Sequence, residues 1–500
     1  MSLFKNKYAD FLSVFILICL FTIAGFFQIT SYALDTKISF SDPSATVGSE
    51  VNVTMRIGVV DEGMKLGKAD IMLSYDAQSL EFISGDGAQG GAGSIKITAA
   101  SAAGNDKEWI FSLKFKALKA GESTIKISTW EIQDIDGVPA SASHEGSSKV
   151  TIIDFAKKCI LTAFSKGKSV VSANKDLIAN FGQELYEAAD KNKVFFMYEA
   201  SVCGGIPILR TIKEHLSGEQ ISEVTGIVNG TTNFILTKMY QKYGLTFDTV
   251  LSEAQELGFA EADPTADVEG LDAARKVAIL ASLCFSAYVT FDDVYSEGIS
   301  KISPEDVKYA KKFDYNIKLL GISKEHQDGI EAHVYPAFIP NTYQISKVND
   351  AYNAVYLKSN ILGSSMYYGA GAGSLPTASA VMSDVIDIIK KQISGEKPKK
   401  IDEFFEKKKI LSIDEISCKY YVRFTALTGG GGVSKISGEF AKSNINTLDI
   451  LTQLRNDGRY TIVIITEKAK EKNFRQCIEQ IKKNCDDINV ENIIRIEESN

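Results

Sequence analysis

The hydrophobic period of this chain changes once, near residue 154, and that change decides what the chain can fold into. Upstream, apolar residues recur at every second position in Val51, Val53, Met55, Ile57 and Val59, in Ile71, Leu73 and Tyr75, and in Trp109, Phe111, Leu113, Phe115 and Ala117. Such alternation turns one face of a strand to a core and the other to water. Further short strands, Ser123 to Ser128 and Lys149 to Ile153, follow Gly, Asp and Ser turns with no helical stretch between them. This spacing predicts an all-β sandwich of two sheets over residues 34–153. Downstream, a helix in AKKCILTAFSKG leads into a buried strand, SVVSA, and a second helix from Lys175 to Lys191. That is the alternation of a doubly wound α/β sheet. The chain is therefore multidomain.

Length agrees, because 500 residues exceed what one hydrophobic core organises. With 45% hydrophobic and 24% charged residues it is globular outside its first thirty or so positions, and a net charge of -8 disfavours nucleic acid as a partner. Residues 1–33 read as a secretory signal: Lys5 and Lys7 form the positive region, Phe11 to Phe27 the apolar run, and Ser31-Tyr32-Ala33 a small-residue cleavage site. An uncleaved anchor is the alternative. Outside the signal, the cysteines are Cys159, Cys203, Cys284, Cys418, Cys477 and Cys485, all downstream of residue 152 and mostly within apolar patterns. Scattered thiols of this kind suit a reducing cytosol, so signal and cysteines imply different compartments.

The segments VGSEVNVTMRI, LSYDAQSLEF and WIFSLKFKALKAGESTIKI resemble a cohesin module over about residues 37–153. That resemblance implies a protein-binding role, with a dockerin-type partner held on a sheet face; a generic immunoglobulin-like spacer is the alternative reading. Within this half Gly85, Gly87 and Gly90 spell G-x-G-x-x-G, but the residues that follow are glycine-rich and then strand-like. A dinucleotide loop requires a helix to start there, so the match is read as a loop without nucleotide. Asn52 and Asn229 each begin a glycosylation sequon, a pattern too short to carry weight.

Four signatures follow in order: VVSANK, EASVCGGIP, NGTTNF and GFAEADPTADVEGLDAARK. Ser172, Asn174 and Lys175 lie where the strand ends, at the carboxyl edge where α/β sheets bind ligands. Glu261, Asp263, Asp267 and Glu269 crowd one loop that runs into an Ala/Leu-rich helix, and acids that close repel unless a cation sits among them. Asp272 and Lys276 are one turn apart on that helix and share a face. EASVCGGIP supplies one carboxylate, Glu199, beside small residues whose carbonyls can approach a hard cation; without further context it is equally a tight turn. Glycines 369, 371 and 373 of YGAGAGSLPT lead into another helix, with Ser374 as cap and Pro376 in its first turn.

Together these segments resemble the homoserine dehydrogenases over about residues 154–500, a family of NADP- or NAD-dependent enzymes that act on a small amino-acid substrate, interconverting L-homoserine and L-aspartate semialdehyde. The resemblance implies a partial Rossmann remnant over 154–198 and an α+β catalytic domain over 199–394. It makes Lys276 the proton donor, with Lys175 and Asp272 as its catalytic companions. Glu261, Asp267 and Asp272 would bind substrate. Ser172, Asn174, Lys175, Gly258, Gly371 and Gly373 would lie along the cofactor. Glu199 and the backbone of Val202, Gly204 and Ile206 would hold a monovalent cation, Na or K. A proton-shuttling lysine is expected to have its pKa lowered toward neutrality by desolvation or a neighbouring cation.

After a lysine-rich linker, 395–417, the order strand, helix, strand, strand, helix, strand over 418–500 is ferredoxin-like and resembles an ACT domain. It implies threonine sensing and homo-oligomers formed through the catalytic and ACT domains. The Thr428-Gly429-Gly430-Gly431-Gly432 turn lacks the aspartate and proline of that family. The family's first strands and pyrophosphate loop, which should precede VVSANK, are replaced by the sandwich, so nucleotide binding should be impaired. A fusion, deletion or mis-joined frame near residues 150–156 accounts for the junction. The alternative function is an exported cohesin-type binding protein with a vestigial enzyme half.

Overall fold

The computed structural model describes residues 35–60, 65–101, 106–144, 147–398 and 405–498. The expected signal segment lies outside them, as does part of the linker. The chain divides into two compact units, 1–158 and 159–500, each described by itself.

The first unit contains eleven strands: β1 (Asp35–Phe40), β2 (Ser44–Thr46), β3 (Glu50–Val59), β4 (Leu66–Ser74), β5 (Leu80–Gly85), β6 (Ala88–Gly91), β7 (Ser94–Ala100), β8 (Glu108–Ala117), β9 (Gly121–Asp134), β10 (Ser141–His144) and β11 (Ser147–Ile153). One sheet has the order β10-β1-β3-β8-β5 and the other β2-β11-β9-β4-β7-β6. The alternating residues of β3, Val51, Val53, Met55 and Ile57, are buried against Ile71, Leu73, Leu113 and Phe115. Period-two patterning thus becomes the core between two sheets. Gly85 ends β5 and Gly90 lies in β6, so the G-x-G-x-x-G match occupies short strands and their turns, and strand β7 follows rather than a helix.

Helix α1 (Phe155–Ser165) runs across the division into the second unit, and with α2 (Lys175–Asn192) it flanks β12 (Val170–Val171), which pairs in parallel with β13 (Phe196–Met197). This two-stranded sheet is what the described residues hold of a doubly wound domain. The large sheet has β14 (Ile221–Ile227), β15 (Tyr295–Ser296), β16 (Tyr315–His326), β17 (Gly329–Pro340), β18 (Tyr352–Ser359), β19 (Ser364–Ala370), β20 (Ser417–Ala426), β21 (Thr447–Leu454), β22 (Tyr460–Thr466), β23 (Ala469–Lys470) and β24 (Ile488–Ile496). Its order is β19-β18-β14-β16-β17-β24-β20-β22-β21, with β15 on β17 and β23 on β20. The C-terminal β20, β21, β22 and β24 keep the ferredoxin-like order, but their sheet is continuous with the one before it. The join is a parallel pairing of Ala337 and Phe338 in β17 with Arg495 and Ile496 in β24.

Helices α3 (Gly230–Gln241), α4 (Phe247–Glu256), α5 (Leu271–Phe285), α6 (Pro304–Lys312) and α7 (Ser374–Ile393) belong to the middle of this unit, and α8 (Gly429–Lys442) and α9 (Glu471–Asn484) to its end. Helix α5 contacts β14, β16 and β17, and residues from Ala273 to Phe285 bury most of its surface. The glycine run after Thr428, expected to be a turn, forms the first turn of α8; Gly429 and Gly432 are buried there, where a side chain would meet Tyr460 or Ile462.

Candidate active site

Five elements converge on Asp272. It sits in the first turn of α5, whose start follows a single helical turn, Thr265–Val268, and Gly270 at a φ of 79°. Its Oδ2 is 2.7 Å from Lys276 Nζ and accepts a hydrogen bond of 2.9 Å from Asn229 Nδ2. Its Oδ1 is 3.3 Å from Lys175 Nζ. Lys276 also donates to the Val228 carbonyl at 2.7 Å, just past the end of β14. Asn229 caps α3 by accepting from Thr232 N at 2.9 Å and donates to Asp267 Oδ1 at 2.7 Å. One buried carboxylate thus serves two ammonium groups and an amide.

The electrostatics follow from burial and charge together. Burial alone would raise the Asp272 carboxyl, but Lys276, Asn229 and Lys175 hold it down at about 2. Lys276 corrects the expectation of a lowered lysine: burial acts to lower it, yet the attraction of Asp272 more than offsets this and its pKa is raised. It is a held ammonium, able to give a proton rather than take one in this state. Asp267 moves the other way, raised by burial, with Asn229 only partly countering.

At the strand end, Ser172 Oγ accepts from Asn174 N at 3.1 Å and Asn174 Oδ1 caps α2 through Leu177 N at 3.0 Å. Lys175 is thereby placed at the first position of α2, with a third of its side chain exposed. The Glu199 loop packs on the glycine turn that precedes α7: Gly205 N donates to the Ala370 carbonyl at 2.9 Å, and a side chain at Gly371 would overlap the Asn353 amide. Glu199 itself is buried, and its two oxygens accept from Leu209 N at 2.9 Å and Arg210 N at 2.8 Å. Burial pushes its carboxyl up despite these bonds.

The homoserine dehydrogenase family model matches residues 207–386. The homoserine dehydrogenase of Neisseria gonorrhoeae is 40% identical over 335 residues, covering 65% of this chain and 76% of that protein. That of Bacillus subtilis is 42% identical over 332 residues, 66% of this chain and 76% of its own length. The chain belongs to the homoserine dehydrogenase family. A crystal structure of the Thiobacillus denitrificans homoserine dehydrogenase superposes with a TM-score of 0.66 at 38% identity, covering 70% of this chain and 82% of that one. The Staphylococcus aureus homoserine dehydrogenase gives 0.54 at 32% identity over 69% and 79%. The second unit is thus a homoserine dehydrogenase α/β fold with mixed sheets.

Of the residues expected from the sequence, Lys175, Asp272, Lys276 and Asp267 come together, and Ser172 and Asn174 stand beside Lys175. Glu199, Val202, Gly204 and Ile206 share one tight loop, in which Val202 and Ile206 are buried. Gly371 is buried next to this loop, and Gly373 begins α7 at a φ of 113°. Glu261 is exposed, and no hydrogen bond or ion pair among the described residues joins it to the cluster. Gly258 is exposed too, in the turn after α4. Asn229 was read as the start of NGTTNF and of a sequon but was given no role; it is 5% exposed and ties Asp267 to Asp272. The signal that finds it is its place before Gly-Thr-Thr and an apolar helix, an N-cap pattern.

Proposed function

We propose that this chain reversibly interconverts L-homoserine and L-aspartate semialdehyde at the Asp272 cluster, with Lys276 giving and regaining the proton. The observation that supports this most is the sharing of Asp272 by two lysines, one buried and one partly exposed. When an aldehyde carbon gains hydride, its oxygen becomes an alkoxide and needs a proton donor at hydrogen-bond distance. Lys276, kept charged by Asp272, is such a donor. Asp272 in turn stabilises the ammonium and fixes where it points. Lys175, reaching the same carboxylate from the strand end, restrains it from the other side. Asp267 and Asp272 would anchor the substrate's own ammonium, with Glu261 as the third acid that the family resemblance assigns to it.

The family's nicotinamide, NAD or NADP, supplies the hydride when bound. Ser172, Asn174 and Lys175 at the carboxyl end of β12 would meet its reacting end, and Gly258, Gly371 and Gly373 are the backbone positions that the family resemblance assigns to it. Among the described residues no glycine loop joins a parallel strand to a helix for the pyrophosphate, so nucleotide affinity is expected to be weak unless a second polypeptide contributes. A carboxylate with backbone carbonyls is an oxygen-only set suited to a hard cation, which supports a Na or K role for Glu199 with Val202, Gly204 and Ile206. The two-sheet sandwich supports a cohesin-like module that takes a dockerin-type partner, and residues 1–33 support export. The ferredoxin-like strand order with helices α8 and α9 supports an ACT-like unit that pairs copies of the chain.

The test is oxidation of L-homoserine by the full chain with saturating NADP or NAD, followed by nicotinamide absorbance. Turnover that falls to background in Lys276→Ala supports the reading. Equal turnover in the two proteins removes Lys276 from the chemistry.

A further inference from the structure

The first two residues of α2, Lys175 and Asp176, both reach across to α5. Lys175 Nζ lies 3.3 Å from Asp272 Oδ1, and the Asp176 carboxylate forms an ion pair with the guanidinium of Arg275. Asp272 and Arg275 are three positions apart on α5 and so lie on one face of it. Arg275 is itself supported, because its guanidinium lies 4.6 Å from the centre of the Phe291 ring. The ion pair is nevertheless open to solvent, with 21% of the Arg275 side chain and 53% of the Asp176 side chain exposed.

A pair so exposed adds little to stability, so what it can contribute is geometry. Lys175 needs such help. Its side chain is long and rotamer-rich, and the carboxylate it meets is already held by Lys276 and Asn229. The opening of α2 is also weakly fixed from elsewhere: the strand before it, β12, has two residues, and the helix leaves helical geometry at Phe181, where φ is -129° and ψ 17°. Packing beyond that kink sets the direction of the first turn only loosely. We infer that Asp176 and Arg275 are positioning residues, whose ion pair docks the first turn of α2 on α5 and so keeps the Lys175 ammonium on Asp272. The catalytic meaning of that placement rests on the reading of the Asp272 cluster as a homoserine site; the docking itself does not.

Limited acetylation of the full chain with acetic anhydride, read lysine by lysine from peptide masses, tests this without substrate or nucleotide. An ion-paired ammonium reacts slowly, because only the free amine attacks. In Asp176→Asn, Lys175 should acetylate roughly threefold faster, the scale of one partly exposed ion pair, while Lys191 in the last turn of α2 stays within about twofold. Arg275→Gln should reproduce the rise, which excludes loss of a negative charge at the helix start as its cause. Should Arg275→Gln fail to fold, Asp176→Glu decides: the charge-keeping variant should label Lys175 like the unsubstituted chain, and a rise equal to that of Asp176→Asn overturns the inference. An unchanged Lys175 in Asp176→Asn overturns it too, as does a rise shared equally by Lys191, which reports general loosening; either leaves the reading of the cluster intact. Labelling as expected, in a chain whose oxidation of L-homoserine never exceeds background, supports the docking and overturns that reading.

Discussion

The carboxylate of Asp272 lies 2.7 Å from the ammonium of Lys276, one helical turn further along the same buried face. On a solvated helix such a pair contributes little, but here the side chains retain only 12% and 10% of their exposure. Inside the protein each ion depends on the other, because a charge without its partner there is strongly unfavourable.

Asp272→Asn keeps the shape and removes the charge. We expect the folded chain to lose roughly 3 kcal/mol, the scale of breaking one half of a buried pair, read from denaturant melts of the second unit's transition. With its counter-charge gone, Lys276 should also lose its hold on the proton, shifting the pH dependence of any remaining turnover toward lower pH. A melt identical to the unsubstituted protein's contradicts the pairing.

The same pair sets an acid limb. The folded pKa of Asp272, about 2, lies below its ordinary value of 3.8, so the unfolded chain takes up the proton first as pH falls. Its contribution, about 2 kcal/mol, is full above about pH 4 and disappears as pH drops toward 2. Subtracting the stability profile of Asp272→Asn from that of the unsubstituted chain isolates it. A difference that is flat across this interval argues against a depressed carboxyl.

Asn229→Ala removes the cap of α3 and both amide bonds to Asp267 and Asp272. Loss of the cap alone costs about 1 kcal/mol. The two carboxylates then lose their common donor, so L-homoserine affinity should drop along with stability. Retained affinity at lowered stability would confine Asn229 to capping.

The two glycines Gly371 and Gly438 should respond in opposite directions. A methyl at Gly371 collides with Asn353, whereas Gly438 lies exposed inside α8 with open space where a side chain would sit. Gly371→Ala is expected to cost about 1–3 kcal/mol and Gly438→Ala to stabilise by about 0.5–1 kcal/mol. Thermal melts that rank the two the other way refute the close packing of the glycine turn.

Much of this was legible in the sequence, for reasons that differ by element. In β3 the alternation from Val51 to Val59 carries its own burial pattern, because a strand's two faces are set by position alone. Asp272 and Lys276 were found by their spacing on a helix. Lys175 could be placed at a strand end, but nothing in its neighbours says that it reaches Asp272, about a hundred positions away in the chain. The packing of Gly371 on Asn353 gave no signal at all, because local pattern does not encode the meeting of a turn with a distant strand. The continuity of β17 with β24 escaped for the same reason, since a pairing so distant along the chain leaves no periodic trace. The direction of the Lys276 shift was misjudged because desolvation can be anticipated from an apolar helix, whereas the counter-charge that outweighs it needs coordinates.

Turnover of L-homoserine by the full chain, with Lys276 replaced by methionine of similar length, tests the central claim most directly. A general acid and base of this kind contributes about 10²–10⁴-fold, so a loss within that range, with the fold intact by circular dichroism, is expected. A methionine variant that turns over at the unsubstituted rate would contradict the assignment of proton transfer to the Asp272–Lys276 pair.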